Sequence, residues 1–205
     1  NMSIIGLAAA LLLSAATAPA QDAETKKIVL LAGKPSHGPG QHEFNAGTML
    51  LQECLDEIEG IETVLIKNGW PEDESVFEGA DALFFYMDGG SNHPMIQENR
   101  LETIGKLMDQ GVGLMCAHYA VEVPADKGGP EFQKWIGGHY ETYWSVNPMW
   151  VPEYKDFPDH PITRGVQPFS VRDEWYFNMR FRPEMEGITP ILVSTPSDEV
   201  RDGPY

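Results

Sequence analysis

The sequence predicts a single α/β domain with a mostly parallel sheet and helices on both faces. Between residues 28 and 116, short continuous apolar runs alternate with segments whose apolar residues recur at helical spacing. Such alternation is typical of right-handed crossovers between parallel strands. The chain has 205 residues, a length that suits one domain, since compact domains usually hold roughly 100–200 residues.

Four apolar runs predict the strands, because strands buried on both faces of a parallel sheet are almost continuously apolar. They are residues 28–32, 62–67, 82–87 and 113–116. Gly33 ends the first run, Asp88-Gly89-Gly90 follows the third, and the fourth continues directly into Ala117-His118. The last junction is a strand that turns abruptly into small residues, so we expect His118 to be lifted above the edge of the sheet.

Two helices are predicted between these strands. One lies before Gly60, a natural helix stop, and its apolar positions are Phe44, Gly47, Leu51, Cys54, Leu55 and Ile58. The other is closed by Gly111, and its apolar positions are Leu101, Ile104, Leu107 and Met108. From Trp135 onward the pattern is irregular and rich in aromatic residues and prolines, and residues 188–195 are the one further strand that we predict there.

Charge and cysteine content limit the class of partner. The chain carries 14 Lys and Arg against 31 Asp and Glu, a formal net charge of −17. Because phosphates would be repelled, we expect no nucleic acid partner, and a neutral or cationic small molecule or carbohydrate fits better than an anion. Cys54, on the first predicted helix, and Cys116, in a predicted central strand, are interpreted as buried apolar residues rather than a disulfide.

Both ends of the sequence show a pattern that bears on the domain boundaries. Residues 1–20 contain no charged side chain and end in Ala18-Pro19-Ala20, which predicts a secretory signal peptide cleaved after Ala20, then a linker over residues 21–26. The apolar run is shorter than the ~20 residues of a spanning helix, so we expect a secreted or periplasmic protein without stable membrane insertion. Asp202 and Gly203 begin a turn pattern at the very end, so we expect the domain, residues 27–205, to be truncated.

Histidines concentrate where ligands are expected. In open parallel sheets, ligands bind beyond the carboxyl ends of the strands. Here the loops at those ends are residues 33–43, 88–93 and 117–122, and they hold four of the six histidines. These are His37, His42, His93 and His118.

Five motifs together resemble the ThuA-like family, named for trehalose utilisation. They are residues 36–44 (Ser-His-Gly-Pro-Gly-Gln-His-Glu-Phe), the turn at 111–120, 136–139 (Ile-Gly-Gly-His), 160–165 (His-Pro-Ile-Thr-Arg-Gly) and 173–177 (Asp-Glu-Trp-Tyr-Phe). The first motif is similar to a secreted bacterial branch of the family. The resemblance covers the chain from about Lys27 to its end, and it implies a flavodoxin-like fold similar to that of class I glutamine amidotransferases.

The resemblance implies carbohydrate chemistry, and the sequence argues against glutaminase chemistry. Amidotransferases carry a Cys nucleophile at the turn where this chain has His118, and Cys116 lies two residues earlier, inside the strand. A thiol in that position would be buried and unactivated. The pair His160-Pro161 continues with Ile162, where the amidotransferase pattern has Glu.

We therefore expect a hydrolase or lyase that acts on a glycoside or modified sugar by histidine acid/base chemistry, since imidazole both takes and gives a proton near neutral pH. The candidate catalytic residues are His118, His37, His42, Glu43 and Asp88. The candidate substrate-binding residues are His139, Trp144, Arg164, Asp173 and Glu174.

Three alternatives stay open. His37, His42 and His118 are acceptable ligands for a divalent metal, which would make a metal-dependent hydrolase, although their spacing matches no recognised ligand motif. The aromatic residues between Trp135 and Tyr154 would suit a non-catalytic sugar-binding or interaction module, or ordinary packing. A single loop histidine often only bonds a carbonyl group, and Arg164 with Asp173 could be a structural ion pair.

Overall fold

The computed structural model describes residues 24–203, and a four-stranded parallel sheet lies at its centre. Its strands are β1 (Lys26–Ala32), β2 (Ile61–Ile66), β3 (Ala82–Tyr86) and β4 (Gly113–Cys116). They are ordered β2-β1-β3-β4, and all three pairings are parallel. The predicted α/β class is confirmed, and the predicted leader, residues 1–20, lies outside the described residues.

Helices cover both faces of the sheet. They are α1 (Phe44–Asp56), α2 (Arg100–Asp109) and α3 (Gly129–Ile136). A short helix, α4 (Asp198–Arg201), follows near the end of the described residues. Alternate residues of a strand point to opposite faces. Leu31 and Phe85 belong to the same core cluster as Ile104 of α2 and Phe132 of α3. On the other face, Phe44 of α1 packs edge-on against Tyr86, with ring centres 4.9 Å apart.

The chain after β4 forms short strands joined by loops, which explains the irregular sequence pattern. They are β5 (Glu122–Val123), β6 (Gly138–Glu141), β7 (Met149–Trp150), β8 (Glu153–Tyr154), β9 (Phe169–Ser170), β10 (Asp173–Glu174) and β11 (Arg180–Phe181). β6 lies between β5 and β11, β10 pairs with β7, and β8 pairs with β9. Among residues 24–203, no helix has the length and apolar composition needed to cross a membrane.

Three local predictions were wrong. Residues 188–195 form no strand, because this apolar run has no neighbouring strand to pair with, and Val193 is 70% exposed. Cys54 is exposed, because it lies on the outer side of α1. Cys116 is not in a central strand, since β4 is at the edge of the four-stranded sheet.

His93 is a structural residue of the core, although it lies in one of the strand-end loops. Its side chain is fully buried. Its Nδ1 accepts a hydrogen bond of 3.1 Å from the Met95 amide, so its Nε2 carries the proton and donates to the Ala120 carbonyl over 2.9 Å. Burial lowers the pKa of His93 to about 4. The ring is therefore neutral and ties β3 to the turn before β5.

We expect acid to destabilise the fold through His93. The ordinary pKa of its side chain is 6.5 and the folded value is about 4. Between these values the unfolded chain binds more protons, so the free energy of unfolding falls as the pH is lowered, by about 3 kcal/mol in all. Urea unfolding from pH 7 to pH 4 checks this. His93→Gln should be less stable at pH 7 and lose less on acidification, and equal losses would contradict the assignment.

Candidate functional site

A cleft of about 1270 Å³ opens at the carboxyl edge of the parallel sheet. Its walls come from the loop after β1, from the 3-10 turn His118–Val121 after β4, and from β10 with the residues that follow it. Parallel strands end at the same edge, so loops that are distant in the sequence meet there. This is the edge at which the sequence predicts a ligand.

Side chains from the first loop and from the end of β3 begin a hydrogen-bonded row in this cleft. Ser36 Oγ donates to Asp88 Oδ1 over 2.6 Å and lies 2.8 Å from His37 Nδ1. His37 Nδ1 is in turn 3.1 Å from His42 Nδ1. Asp88 therefore reaches His37 chiefly through Ser36, since its own Oδ1 is 3.8 Å from His37 Nδ1.

The row continues to the turn after β4. His42 Nε2 lies 3.0 Å from His118 Nε2, and His118 Nδ1 lies 2.9 Å from the Tyr176 hydroxyl. Glu174 Oε2 is 3.6 Å from His118 Nε2. We call the three imidazoles, His37, His42 and His118, the histidine row. It runs from Asp88 at one end to Tyr176 at the other.

Two of the three histidines have a left-handed backbone. φ is 44° at His42 and 52° at His118, a conformation that costs about 1–2 kcal/mol for a residue with a side chain. His118 is also held from behind, because the Ala117 amide donates to the Phe85 carbonyl over 2.8 Å. Strain of this kind concentrates where a fold must aim a side chain in one direction. Here it aims two imidazoles at each other.

Burial makes the inner part of the row neutral. It lowers the pKa of His42, and the neighbouring His118 and His37 lower it further. Burial also lowers the pKa of His118, although the carboxylates of Glu174 and Asp173 partly oppose this. Both rings are therefore uncharged imidazoles at neutral pH. Uncharged imidazole has one N–H donor and one acceptor nitrogen, which suits a chain of hydrogen bonds.

Tyrosine hydroxyls form the inner wall of the cleft and stay protonated. Burial raises the pKa of Tyr119 and Tyr176, and it raises the pKa of Tyr140 to about 12. The ring of Tyr176 stacks on His118 and packs edge-on against Tyr140, with ring centres 5.4 and 5.1 Å away. Of these hydroxyls, that of Tyr140 donates to Asn147 Oδ1 over 3.4 Å, and that of Tyr176 contacts His118.

The structure brings most of the predicted site residues together. His37, His42, His118, Asp173 and Glu174 line the cleft. Glu43 lines it too, and its Oε1 accepts a 2.7 Å hydrogen bond from the Gly40 amide. Asp88 lies behind His37, on the far side of Ser36. The catalytic and binding roles assigned to these residues stay predictions.

Three predicted substrate-binding residues do not line the cleft. His139 is buried in β6, and neither of its ring nitrogens has a hydrogen-bond partner among the described residues. Trp144 is covered by the guanidinium of Arg180, 3.9 Å above its ring. Arg164 is exposed at the end of the turn Pro161–Thr163. Their predicted role in substrate binding stays a prediction.

Four polar residues of the site were not among the sequence candidates. Ser36 and Tyr176 lie inside motifs already noticed, one residue before His37 and two after Glu174. Tyr119 follows His118 directly, and Glu122 follows it by four residues. The signal was therefore present in the sequence, because these residues share the loops of the candidates. Only the fold shows that Tyr119, Glu122 and Tyr176 line the cleft and that Ser36 lies between Asp88 and His37.

Two groups of side chains offer ligand atoms for a metal ion. One is His37, His42 and Asp88, and the other is His42, His118 and Glu174, and within each group the ligand atoms lie within 4.8 Å of one another. His42 turns Nδ1 to His37 and Nε2 to His118. The three histidines predicted as ligands therefore form a row rather than a shell around one point. Either end could offer two imidazoles and a carboxylate.

Gly89, directly after Asp88, allows the His118 turn to lie close to the sheet. A Cβ atom at this position would be 2.3 Å from the Tyr119 carbonyl oxygen and 2.7 Å from the Cβ of Glu122. Both distances are far below van der Waals contact. The absence of a side chain at Gly89 therefore sets the position of the segment that carries His118.

Gly89→Ala should displace the His118 turn. We expect a loss of stability of about 1–3 kcal/mol, as for other overpacking substitutions, together with a shifted NMR signal of His118. Gly113→Ala is the matched control, because a Cβ there would meet its nearest neighbour at an ordinary 3.5 Å. If Gly89→Ala leaves both stability and the His118 signal as they are, the close approach does not position the turn.

Comparison with known proteins agrees with this architecture. A family model described as ThuA, trehalose utilisation, matches residues 29–204, which confirms the resemblance drawn from the motifs. A crystal structure of a ThuA-like protein from Bacteroides uniformis ATCC 8492 is similar, with a TM-score of 0.53 and 15% identity over 88% of this chain and 78% of that chain. At this identity the likeness concerns the fold. A search of curated proteins gives no match.

Proposed function

The chain belongs to the ThuA family of trehalose-utilisation proteins, and from this membership and the geometry of the cleft we propose that it is an exported carbohydrate-active hydrolase or lyase. His118 is the central group of the reaction, and it transfers a proton together with the rest of the histidine row. The observation that carries the proposal is the unbroken row of short contacts from Asp88 to Tyr176.

The row permits two orders of its protons. In the first order, Ser36 gives its proton to Asp88, and His37 Nδ1–H is shared between Ser36 Oγ and His42 Nδ1. His42 then accepts at Nδ1 and donates from Nε2 to His118, which donates from Nδ1 to the Tyr176 oxygen. In the reverse order, Tyr176 donates to His118, His118 Nε2–H donates to His42, and His42 Nδ1–H donates to His37 Nδ1. His37 then carries its own proton on Nε2 and no longer donates to Ser36. Exchange between the two orders carries a proton along the row, as acid/base catalysis requires.

The walls of the cleft suit a sugar. Tyrosine hydroxyls can donate hydrogen bonds to a sugar, and the carboxylates of Glu43, Asp173 and Glu174 can accept hydrogen bonds from its hydroxyl groups. Among the described residues that line the cleft there is no Lys or Arg, so a phosphorylated or acidic sugar would meet repulsion without compensation. These features favour an uncharged polyhydroxylated substrate.

Glutamine amidotransferase chemistry does not fit the side chains. Burial raises the pKa of the Cys116 thiol to about 12, so it is not a thiolate at neutral pH. The position next to the cleft belongs to His118. We therefore propose that this chain shares the fold of the glutamine amidotransferases but not their reaction.

Replacement of His118 should abolish turnover. We expect His118→Ala to lower kcat/KM by about 10²–10⁴-fold, measured by product release from a panel of neutral glycosides and oxidised sugars that includes trehalose. His160→Ala is the matched control, because His160 lies in a surface turn away from the cleft. Full activity of His118→Ala would overturn the proposal.

The same panel separates the alternatives. Glycan binding that survives His118→Ala, without turnover by the wild type, would indicate a sugar-binding module. Turnover that is lost on exhaustive chelation and restored by zinc would assign the reaction to a metal ion at one of the two ligand groups.

The acidic limit of activity should lie below the ordinary pKa of histidine. Burial lowers the pKa of His118 below 6.5, and the ring accepts a proton only while it is neutral. As the pH falls, kcat/KM should therefore show no decline at 6.5, and a decline should begin only at lower pH. A pH profile of kcat/KM, measured at constant ionic strength, checks this. A decline that begins above pH 6.5 would contradict the neutral state of His118.

A further inference from the structure

We propose that Glu122 is the general acid of this cleft and protonates the leaving oxygen when a glycosidic bond breaks. The inference rests on the proposed function, since it assigns the second half of the acid/base pair to a residue that no motif singles out. Hydrolysis of a glycoside requires both a base for the water and an acid for the leaving group.

Glu122 and His118 belong to one short segment. His118 begins the 3-10 turn His118–Val121, and Glu122 follows it as the first residue of β5. Both side chains line the same cleft. A substrate that reaches the histidine row therefore also meets the carboxyl group of Glu122.

Several contacts fix this carboxyl group. The Thr142 hydroxyl donates to Glu122 Oε1 over 2.9 Å. Gly89 lies against the stem of Glu122, and a Cβ atom at Gly90 would be 3.4 Å from Glu122 Oε1. Gly89 thus leaves room for the stem of Glu122, and Gly90 lies beside its carboxyl group. A surface glutamate would need no such space.

The surroundings favour the protonated form of Glu122. Burial raises its pKa, and the hydrogen bond from Thr142 opposes this only in part. The titratable groups whose charge interacts with it are phenols, Tyr119 on its own turn, Tyr140 of β6 and Tyr176 after β10. Glu174 of β10 adds a negative charge to the same group of phenols. No Lys or Arg lines the cleft among the described residues.

The other cleft carboxylates are bound differently. Glu43 accepts a hydrogen bond from the Gly40 amide, and Asp173 accepts one from the Glu174 amide. Glu174 lies beside an imidazole. Glu122 alone among these groups is held by a neutral hydroxyl in half-buried surroundings.

In the proposed hydrolysis, Glu122 gives one proton and the histidine row takes one. The bond between the sugar carbon and the leaving oxygen breaks, its electron pair goes to that oxygen, and the Glu122 proton joins it. The oxygen of a water molecule forms the new bond to the sugar carbon, and the proton of that water passes to the histidine row. Transfer of this proton to solvent and reprotonation of Glu122 restore the starting state. One glycoside and one water give two hydroxyl products.

The protonation of Glu122 can be measured without a substrate. In protein labelled with ¹³C at the glutamate carboxyls, the Glu122 signal is identified by its loss in Glu122→Gln. We expect its midpoint clearly above the ordinary ~4.3 of glutamate, and above that of Glu102, whose pKa is lowered by Lys106. A midpoint at or below ~4.3 would overturn the inference.

Kinetics then test the role as an acid. Glu122→Gln should lower turnover of alkyl glycosides about 10²–10⁴-fold and leave nitrophenyl glycosides almost unchanged, because their leaving group needs no proton. Glu153→Gln is the control, since Glu153 is exposed on β8. Equal loss on both substrates, or no loss, would overturn the role. If the wild type turns over no sugar of the panel, the proposed function fails, whereas His118-dependent turnover with a low midpoint for Glu122 removes the acid role alone.

Discussion

The parallel register of β1, β3 and β4 is the constraint on which the rest of the structure depends. Ala32 pairs with Tyr86, and Phe85 pairs with Cys116, so the three strands end at the same edge. The loop that follows β1 carries His37 and His42, β3 leads into Asp88, and β4 leads into His118. Residues that are more than 70 positions apart, such as His42 and His118 with a separation of 76, become neighbours through this pairing alone.

Partial burial gives the neighbouring histidines their chemical character. Three exposed imidazoles would each titrate in water, but His42 and His118 lose hydration and stay neutral. A neutral imidazole must find both a donor and an acceptor, since an unpaired buried polar group is costly. Each ring therefore provides a hydrogen-bond partner for the next ring. The position of the proton on one ring then determines which nitrogen of the neighbouring ring carries a proton. The backbone strain at two of these rings is offset by the contacts that it permits.

The sequence was sufficient to predict the sheet and the residues at its edge. Continuous apolar runs such as β3 have few other interpretations, and three of the four histidines in strand-end loops do face the cleft. His93 does not, because Pro94 and the Met95 amide turn its ring inward, which no pattern indicates. The order of contacts along the row depends on positive φ values at His42 and His118, and these follow from the folded loops rather than from residue type.

Other features could not be predicted for related reasons. The apolar run at 188–195 has the composition of a strand but no partner with which to pair. The short strands after β5 have two residues in most cases, too few for any periodicity. Glu122 was not predicted as a site residue, because no sequence motif marks a single glutamate in a loop. Its environment, with Gly89, Thr142 and three tyrosines, is assembled only by the fold.

The central claim is that the histidine row acts as one proton-linked unit, and the nitrogen NMR spectrum of its imidazoles tests this most directly. The chain labelled with ¹⁵N at histidine should show neutral His42 and His118 at pH 7. Tyr176→Phe, which removes the hydroxyl at the end of the row, should shift the nitrogen signals of all three rings, most for His118 and least for His37. Tyr143→Phe, at a fully exposed position, should shift none. If Tyr176→Phe alters His118 alone and leaves the nitrogens of His42 and His37 unchanged, the rings are independent and the account is wrong.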